Sequence, residues 1–179
     1  MFKKEAPLYS AVLIIYLSAI TVLRWQLQWQ MLLFWLGGFF GLVLYNLDHL
    51  VYLLWQAPDG PTAVKFRQLI RERRLKEGVF LLSETCQERK NLVGHSVIFQ
   101  GVLVVLTFFA LSSSASLFGK GMVIGLFLYS LTNQGLLLAE GKDLSSWFWQ
   151  LGFKPSAKTE AFYFLFLVLI FLFFSRILI

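Results

Sequence analysis

The sequence predicts an all-α integral membrane protein, a single domain over residues 1–179 that forms a bundle of about five transmembrane helices. Composition supports this, because 58% of the residues are hydrophobic and 15% are charged, whereas soluble domains carry about 25% charged residues. The third observation is a set of apolar runs whose lengths approach or exceed the roughly 20 residues that a helix needs to cross a bilayer. The runs cover residues 8–23, 31–55, 92–111, 117–139 and 161–179.

The first run is the shortest and follows Lys3 and Lys4, a pattern that also begins secretory signal peptides. Because no cleavage site of small residues follows the run, we interpret residues 1–23 as a retained helix. The single cysteine, Cys86, rules out an intramolecular disulfide, so cysteine usage does not indicate the compartment.

The positions of Lys and Arg predict the orientation. Thirteen of the 16 basic residues lie before the first run, between the second and third, or between the fourth and fifth. The other three, Arg24, Lys120 and Arg176, lie on the opposite side. By the positive-inside rule, the protein lies in the cell (inner) membrane with its N-terminus on the cytoplasmic side and its C-terminus on the outer side. The net charge of +6 is therefore explained by orientation, and we expect no nucleic-acid binding.

The segment between the second and third runs, residues 58–91, is too long for a simple turn. Pro58-Asp59-Gly60-Pro61 ends the second run with turn-forming residues. Beyond it, apolar residues alternate with basic ones, which predicts a basic amphipathic cytoplasmic helix between the second and third spans. Either this helix lies on the inner leaflet and binds anionic lipid headgroups, or it is solvated and packs on the bundle. The basic residues concerned are Lys65, Arg67, Arg71, Arg73 and Arg74.

Polar residues within the runs fall on faces of the predicted helices. At about 100° per residue, the second run places Gly41, Tyr45, Asp48 and His49 on or at the edges of one face. Small residues let membrane helices approach closely, so we expect the second and fourth helices to pack at Gly41 and Gly125. The matching faces are Gly125, Tyr129, Thr132, Asn133 and Glu140 on the fourth helix, and Glu84, Glu88, Asn91 and His95 on the third.

Both histidines of the chain belong to these polar faces, and the predicted orientation places them at the same depth in the cytoplasmic half. We therefore expect Asp48, His49 and His95 to lie within a few ångström of one another. Two imidazoles and a carboxylate, with one position open to water, match the ligands of a catalytic zinc or similar divalent ion. In the alternative interpretation, Asp48 and His49 cap a helix end and His95 forms a hydrogen bond at the membrane interface.

Three short segments carry a family resemblance. They are residues 46–49 (Asn-Leu-Asp-His), 90–96 (Lys-Asn-Leu-Val-Gly-His-Ser) and 129–133 (Tyr-Ser-Leu-Thr-Asn). In their order along the chain they resemble the Asp-x-Asp-His, His-Arg-Gly-x-Thr-His-Ser and His-x-x-x-Asp motifs of the bacterial membrane-bound metal-dependent hydrolases. That family of inner-membrane proteins has a member under SOS control. The resemblance covers residues 31–149, most of the chain.

The resemblance implies a membrane bundle with a metal site formed by the retained motif residues. Asp48, His49, His95 and Ser96 are kept, whereas Asn46, Lys90, Tyr129 and Asn133 replace acidic or imidazole residues of the family. Neutral amide, phenol and ammonium groups bind a divalent ion more weakly than carboxylates and imidazoles do. A further carboxylate, Glu88 or Glu140, is therefore the expected additional ligand.

The expected function is hydrolysis of a lipid or lipid-linked phosphoester with a divalent metal, zinc or manganese, on the cytoplasmic side. Asp48 then acts in catalysis, while Asn133 and Tyr129 polarise or orient the substrate. The alternative is a catalytically inactive membrane scaffold or partner subunit, whose polar faces form hydrogen bonds between helices. A small transporter is disfavoured because the sequence shows no internal repeat of the kind that such proteins often have.

Overall fold

The computed structural model of the chain describes residues 2–24, 29–85, 92–113 and 116–179. These residues are largely helical and contain no β-strand, which confirms the predicted all-α class for the described part. The α-helices are α1 (Phe2–Leu23), α2 (Met31–Asn46), α3 (Asp48–Val51), α4 (Pro61–Arg71), α5 (Leu75–Glu84), α6 (Val97–Ser112), α7 (Leu117–Ala139) and α8 (Ala157–Leu178). A π-helical turn, Tyr52–Gln56, continues α3, and a 3-10 helix, Ser145–Leu151, precedes α8.

Three helical stretches of the described chain are long and apolar enough to cross a membrane. They are Met31–Gln56, which joins α2, α3 and the π-helical turn, Leu117–Ala139 and Ala157–Leu178. Two shorter apolar helices, Pro7–Leu23 and Val97–Ser112, accompany them. The predicted membrane class is thus confirmed at the level of three candidate spans.

The α6 helix begins later than the apolar run predicted for it, and Ser96 is the reason. The backbone of Ser96 is extended, and its side-chain oxygen accepts a hydrogen bond of 3.2 Å from the N–H of Phe99. A serine in this position is a favourable helix N-cap because it satisfies one of the free N–H groups of the first turn. His95 consequently lies just before the helix rather than within it.

The closest helix pair is α2 with α7, and glycine permits it. A Cβ atom on Gly41 would lie 2.3 Å from the carbonyl oxygen of Met122, and one on Gly125 would lie 2.3 Å from that of Gly38. The predicted contact at Gly41 and Gly125 is therefore confirmed. It extends by one helical turn through Gly37 and Gly121, whose added Cβ atoms would also meet backbone oxygens of the partner helix, Phe118 and Phe34 respectively.

The long helices alternate in direction. Gly37 meets Phe118 and Gly41 meets Met122, so α2 and α7 run the same way. The α1 helix runs opposite to both, because Tyr9 near its start reaches Asn133 while Thr21 near its end reaches Trp35. The α6 helix also runs opposite to α2, because Gly94 before its start meets Asp48 after the end of α2. The α8 helix runs opposite to α7, because Phe164 meets Gly135 and Phe171 meets Phe127.

One end of the bundle therefore collects the starts of α1, α6 and α8 and the ends of α3 and α7. We call it the α4–α5 end, because these two helices follow the π-helical turn there. Ala63 and Phe66 of α4 are buried against Leu53, with Leu81 of α5 packed beside them. Of the polar residues singled out from the sequence, Asn46, Asp48, His49, His95, Tyr129 and Asn133 lie at this end.

The basic segment forms two helices instead of the single helix predicted, because Arg73 adopts a left-handed backbone with φ 57° between them. Arg74 is the residue directly before α5 and forms ion pairs with Glu77 at 2.5 Å and Glu72 at 3.4 Å. The pKa of Glu72 lies below its usual value because Gln68 and Arg74 donate hydrogen bonds to its carboxylate. In the described part of the segment, residues 58–85, the exposed basic side chains are Lys65, Arg67, Arg71, Arg73, Arg74 and Lys76.

Candidate functional site

Asp48 is the centre of the candidate site. It is the first residue of α3, directly after the turn at Leu47 that separates α3 from α2. Its Oδ2 atom accepts a hydrogen bond of 2.9 Å from the backbone N–H of Gly94, and the Nδ1 atom of His95 lies 3.2 Å from the same oxygen. Because a carboxylate can only accept, Nδ1 of His95 carries the proton in this bond. The Asp48 and His95 side chains are 12% and 21% exposed, so the pair is largely shielded.

Gly94 allows this close approach. A Cβ atom at position 94 would lie 2.9 Å from Oδ2 and 3.1 Å from Cγ of Asp48, closer than side chains normally come. The backbone carbonyl of Gly94 in turn accepts a hydrogen bond of 2.9 Å from the hydroxyl of Tyr45. The turn before α6 is thus held to α3 through the N–H of Gly94 and to α2 through its carbonyl.

His49 and Trp147 flank the ring of His95. The ring centre of His49 lies 6.0 Å from that of His95, and the ring centre of Trp147 lies 5.3 Å from it. Trp147 belongs to the 3-10 helix and is buried, so it forms a fixed wall behind the imidazole. The structure therefore brings Asp48, His49 and His95 together, as the sequence predicts.

The candidate ligands of a divalent ion are the imidazole nitrogens of His49 and His95 and the carboxylate of Asp48. Zn–N bonds of about 2 Å put the centres of two imidazoles on one ion roughly 5–6 Å apart, and His49 and His95 have a separation of 6.0 Å. The bond from Nδ1 of His95 to Asp48 leaves Nε2 for a ligand, the arrangement in which a carboxylate orients a metal-binding histidine. Across the described ranges, no three His, Cys, Asp or Glu side chains are already grouped around one ion position. The 6.0 Å separation lies at the upper end of that range and Asp48 bonds to His95, so a divalent-ion site at these residues stays a prediction.

A second, neutral cluster is formed by Asn46, Tyr129 and Asn133, three of the residues singled out from the sequence. The Tyr129 hydroxyl donates a hydrogen bond of 3.1 Å to Oδ1 of Asn46. The Tyr9 hydroxyl donates one of 3.2 Å to Oδ1 of Asn133, and the Tyr9 and Tyr129 rings stack with centres 4.4 Å apart. Asn46, Tyr129 and Asn133 thus lie in one cluster, in which Asn46 also donates to the Leu42 carbonyl oxygen.

Tyr45 connects the two groups. Its ring centre lies 4.6 Å from that of Tyr129 and 5.0 Å from that of His95. Its hydroxyl also lies 3.3 Å from the Ser130 hydroxyl, to which the fully buried Gln100 donates a hydrogen bond. The network therefore ties α2, α6 and α7 together beside the Asp48–His95 pair.

Three members of this arrangement were missed by the sequence analysis: Tyr9, Gln100 and Ser130. Tyr9 shares a helical face with the buried residues Leu13, Leu17 and Ile20 of α1, a spacing that could have indicated an inward position. Gln100 and Ser130 are polar residues inside apolar runs, where an unpaired amide or hydroxyl is costly. That signal alone could have marked both as inward-facing.

The two additional carboxylates predicted as ligands have different outcomes. Glu140 lies after the end of α7, is exposed, and forms an ion pair with Lys142 at 2.5 Å. It is not brought to the Asp48–His95 pair. Glu88 lies outside the described residues, as do Lys90 and Asn91.

No protein-family model, no curated protein and no solved structure matches this chain. The resemblance to the metal-dependent hydrolases therefore stays a prediction from the motif residues.

Proposed function

We propose that this protein is a membrane hydrolase that uses a divalent ion, zinc or manganese, to cleave a lipid or lipid-linked phosphoester at its α4–α5 end. One observation carries the proposal. Oδ2 of Asp48 accepts hydrogen bonds from Nδ1 of His95 and from the N–H of Gly94. His49, the other histidine of the chain, lies beside His95, with their ring centres 6.0 Å apart. Ionisable groups inside membrane bundles are costly and commonly functional.

Asp48, His49 and His95 have separate tasks in this proposal. His49 and His95 hold the ion, and Asp48 fixes the tautomer and direction of the His95 ring through Nδ1. A bound divalent ion would supply Lewis-acid activation of the phosphoester. Trp147 limits rotation of the His95 ring, and Tyr45 holds Gly94 so that its N–H continues to point at Asp48. Asn133 and Tyr129 position α1 and α2 against α7 around the site.

We further propose five transmembrane helices, with α1 and α6 as the two that complete the set. Because α2 and α7 run in the same direction, the chain between them has to return to the opposite end of the bundle, and α6 makes that return. The distribution of Lys and Arg supports a cytoplasmic N-terminus, an outer C-terminus, and a site in the inner-leaflet half of a cell (inner) membrane.

The α4 and α5 helices are proposed to lie at the surface of the inner leaflet. Beside their basic residues they leave apolar side chains exposed, including Val64, Ile70, Val79 and Phe80. A surface that combines exposed apolar and basic groups suits the boundary between acyl chains and anionic headgroups. Such a surface would also concentrate anionic lipids next to the Asp48–His95 pair.

A hydrolysis assay tests the enzyme proposal. The purified protein is incubated with phosphatidic acid and phosphatidylglycerol vesicles in the presence of zinc or manganese, and the released products are measured. We expect hydrolysis by the wild type, none by His95→Ala or His49→Ala, and wild-type rates for Glu140→Ala, the control carboxylate that pairs with Lys142. Equal rates for the wild type and His95→Ala would refute the proposed roles.

A second candidate function, an inactive membrane scaffold or partner subunit, is favoured by the neutral cluster. Asn46, Tyr129 and Asn133 engage their polar atoms within the protein and present no carboxylate or imidazole to an ion. If the scaffold interpretation holds, the protein binds no ion at saturating zinc or manganese. In that case Tyr129→Phe and Asn46→Ala lower the melting temperature, while Glu140→Ala does not.

A further inference from the structure

An apolar groove runs along the flank of the bundle between α2–α3, α6 and α7. Its volume is about 860 Å³, within the range of about 300–1,000 Å³ typical of sites for small molecules. The lining residues are mostly aliphatic or aromatic, and they include Leu44, Leu47, Phe99, Leu106, Ala110 and Met122. Two of its walls, Met31–Gln56 and Leu117–Ala139, belong to candidate membrane spans.

The groove has a polar end. Among its lining residues Asp48 is the only charged one, and Tyr45 and Gly94 of the candidate site line the groove beside it. The far end is marked by Ser113 and Gly119, at the opposite ends of α6 and α7 from the site. From Phe99 to Ser113 the α6 wall rises about 21 Å, at about 1.5 Å per residue, which exceeds a hydrocarbon leaflet of about 15 Å. One apolar chain with a polar group at the Asp48 end matches this shape.

We propose that the groove binds one acyl chain of a phospholipid, which places the lipid's phosphoester at the Asp48–His95 pair. This inference rests on the proposed function for its reaction, and it adds where the substrate binds and from which side it enters. The substrate reaches the site laterally from the inner leaflet, between α2–α3 and α6. A divalent ion held beside Asp48, as in the proposed function, would offset the repulsion between its carboxylate and the phosphate.

The source of affinity differs from that of a water-exposed pocket. An acyl chain that moves from the lipid bilayer into the groove passes from one apolar environment to another, so burial of apolar area contributes little to the binding free energy. Packing contacts and headgroup contacts therefore supply the affinity. A side chain that fills the groove should therefore remove bound lipid without disturbing the headgroup site. Leu106 and Val105 offer a matched pair for this test: both are 53% exposed on α6, but only Leu106 lines the groove.

The test measures lipid retained by the full-length protein after detergent extraction, using native mass spectrometry and phospholipid analysis. We expect about one phospholipid per wild-type chain and roughly tenfold less on Leu106→Trp, the effect of removing about ten carbon–carbon contacts. Val105→Trp should retain the wild-type amount. A wild type without bound phospholipid, or equal retention by both tryptophan variants, would overturn the proposal.

A second pair guards against misfolding of the first. Ala110→Trp also fills the groove, whereas Gly101→Trp adds the same ring on the other side of α6, where a Cβ meets no atom within 4 Å. Activity, compared between the wild type and His95→Ala, and lipid retention test the two proposals separately. If only the proposed chemistry is wrong, the wild type and all variants lack hydrolytic activity, yet Leu106→Trp still retains less phospholipid than Val105→Trp. If only the groove assignment is wrong, the wild type hydrolyses lipid, and Leu106→Trp retains as much phospholipid as the wild type.

Discussion

At the scale of single residues, the site depends on how one carboxylate is accommodated next to hydrocarbon. An ionised side chain at the membrane centre costs about 2.5–3.5 kcal/mol on insertion scales. Oδ2 of Asp48 offsets part of such a cost through hydrogen bonds from Gly94 and His95, and bonds to charged acceptors are stronger than neutral ones. The position at the end of α2, near the α4–α5 end, lowers the cost further.

Gly94→Ala tests this arrangement. Because the added methyl group would lie 2.9 Å from Oδ2 of Asp48, the carboxylate has to move away from His95. Loss of a carboxylate that orients a metal-binding histidine typically lowers metal affinity or activity about 10–100-fold. We expect a loss of this size in zinc or manganese titrations of the variant. Gly101→Ala, where the added methyl group meets open space, is the control and should bind zinc or manganese as tightly as the wild type does. Unchanged metal affinity in Gly94→Ala would show that the Asp48–His95 hydrogen bond is dispensable.

At the scale of helices, the α2–α7 pair determines where the site residues lie. Gly41 and Gly125 set the distance between the helices, and Tyr129 of α7 consequently reaches Asn46 of α2. In membranes such close packing contributes through van der Waals contact, since the surrounding lipid is as apolar as the side chains.

Gly125→Leu should destabilise this pair. The new side chain would collide with the carbonyl oxygen of Gly38, which lies 2.3 Å from the position of the added Cβ. Overpacking a tight contact costs about 1–3 kcal/mol, which corresponds to a decrease in Tm of roughly 2–12 °C for a chain of this size. Thermal unfolding in detergent measures the change. Gly101→Leu serves as the control, and an equal Tm for Gly125→Leu and the wild type would mean that α2 and α7 are not in close contact.

The sequence predicted the helices better than their ends. Apolar length and turn residues located the second, fourth and fifth runs close to the helical stretches observed. The start of α6 was placed too early because Leu92 and Val93 continue the apolar pattern, whereas the cap at Ser96 is a local hydrogen bond that hydropathy does not register. The basic segment was predicted as one helix because nothing in its composition marks the left-handed backbone of Arg73.

At the scale of the whole molecule, the proposed orientation follows from the basic residues gathered at one end of the alternating helices. The α4–α5 end carries most of the Lys and Arg residues as well as the candidate site. If the positive-inside rule applies, this end faces the cytoplasm.

Cysteine labelling tests the orientation. In a Cys86→Ser background, a cysteine at the exposed position Lys76 should resist a membrane-impermeant maleimide added to intact cells and should react after lysis. A cysteine at Ser113, at the opposite end of α6, should react in intact cells. The reverse pattern would place the candidate site in the outer leaflet.

Convergence of Asp48, His49 and His95 was predicted from polar helical faces at the same expected depth, but His95 reaches Asp48 from the turn before α6 and not from a helical face. Their partners were not predicted. The hydrogen bond to Gly94 depends on a backbone N–H outside regular helix, and the involvement of Tyr9 depends on how α1 packs against α7. Glu140 was expected near the metal position from its helical face, but beyond the end of α7 it pairs with Lys142.

The most direct measurement of the central claim is the metal content of the purified full-length protein beside that of His95→Ala. Both are loaded with zinc or manganese, freed of excess ion and examined by elemental analysis. The proposed site predicts about one divalent ion per wild-type chain and almost none on His95→Ala, with the two proteins melting at similar temperatures in the presence of chelator. A wild type that retains no ion, or a His95→Ala variant that retains as much as the wild type, would contradict it.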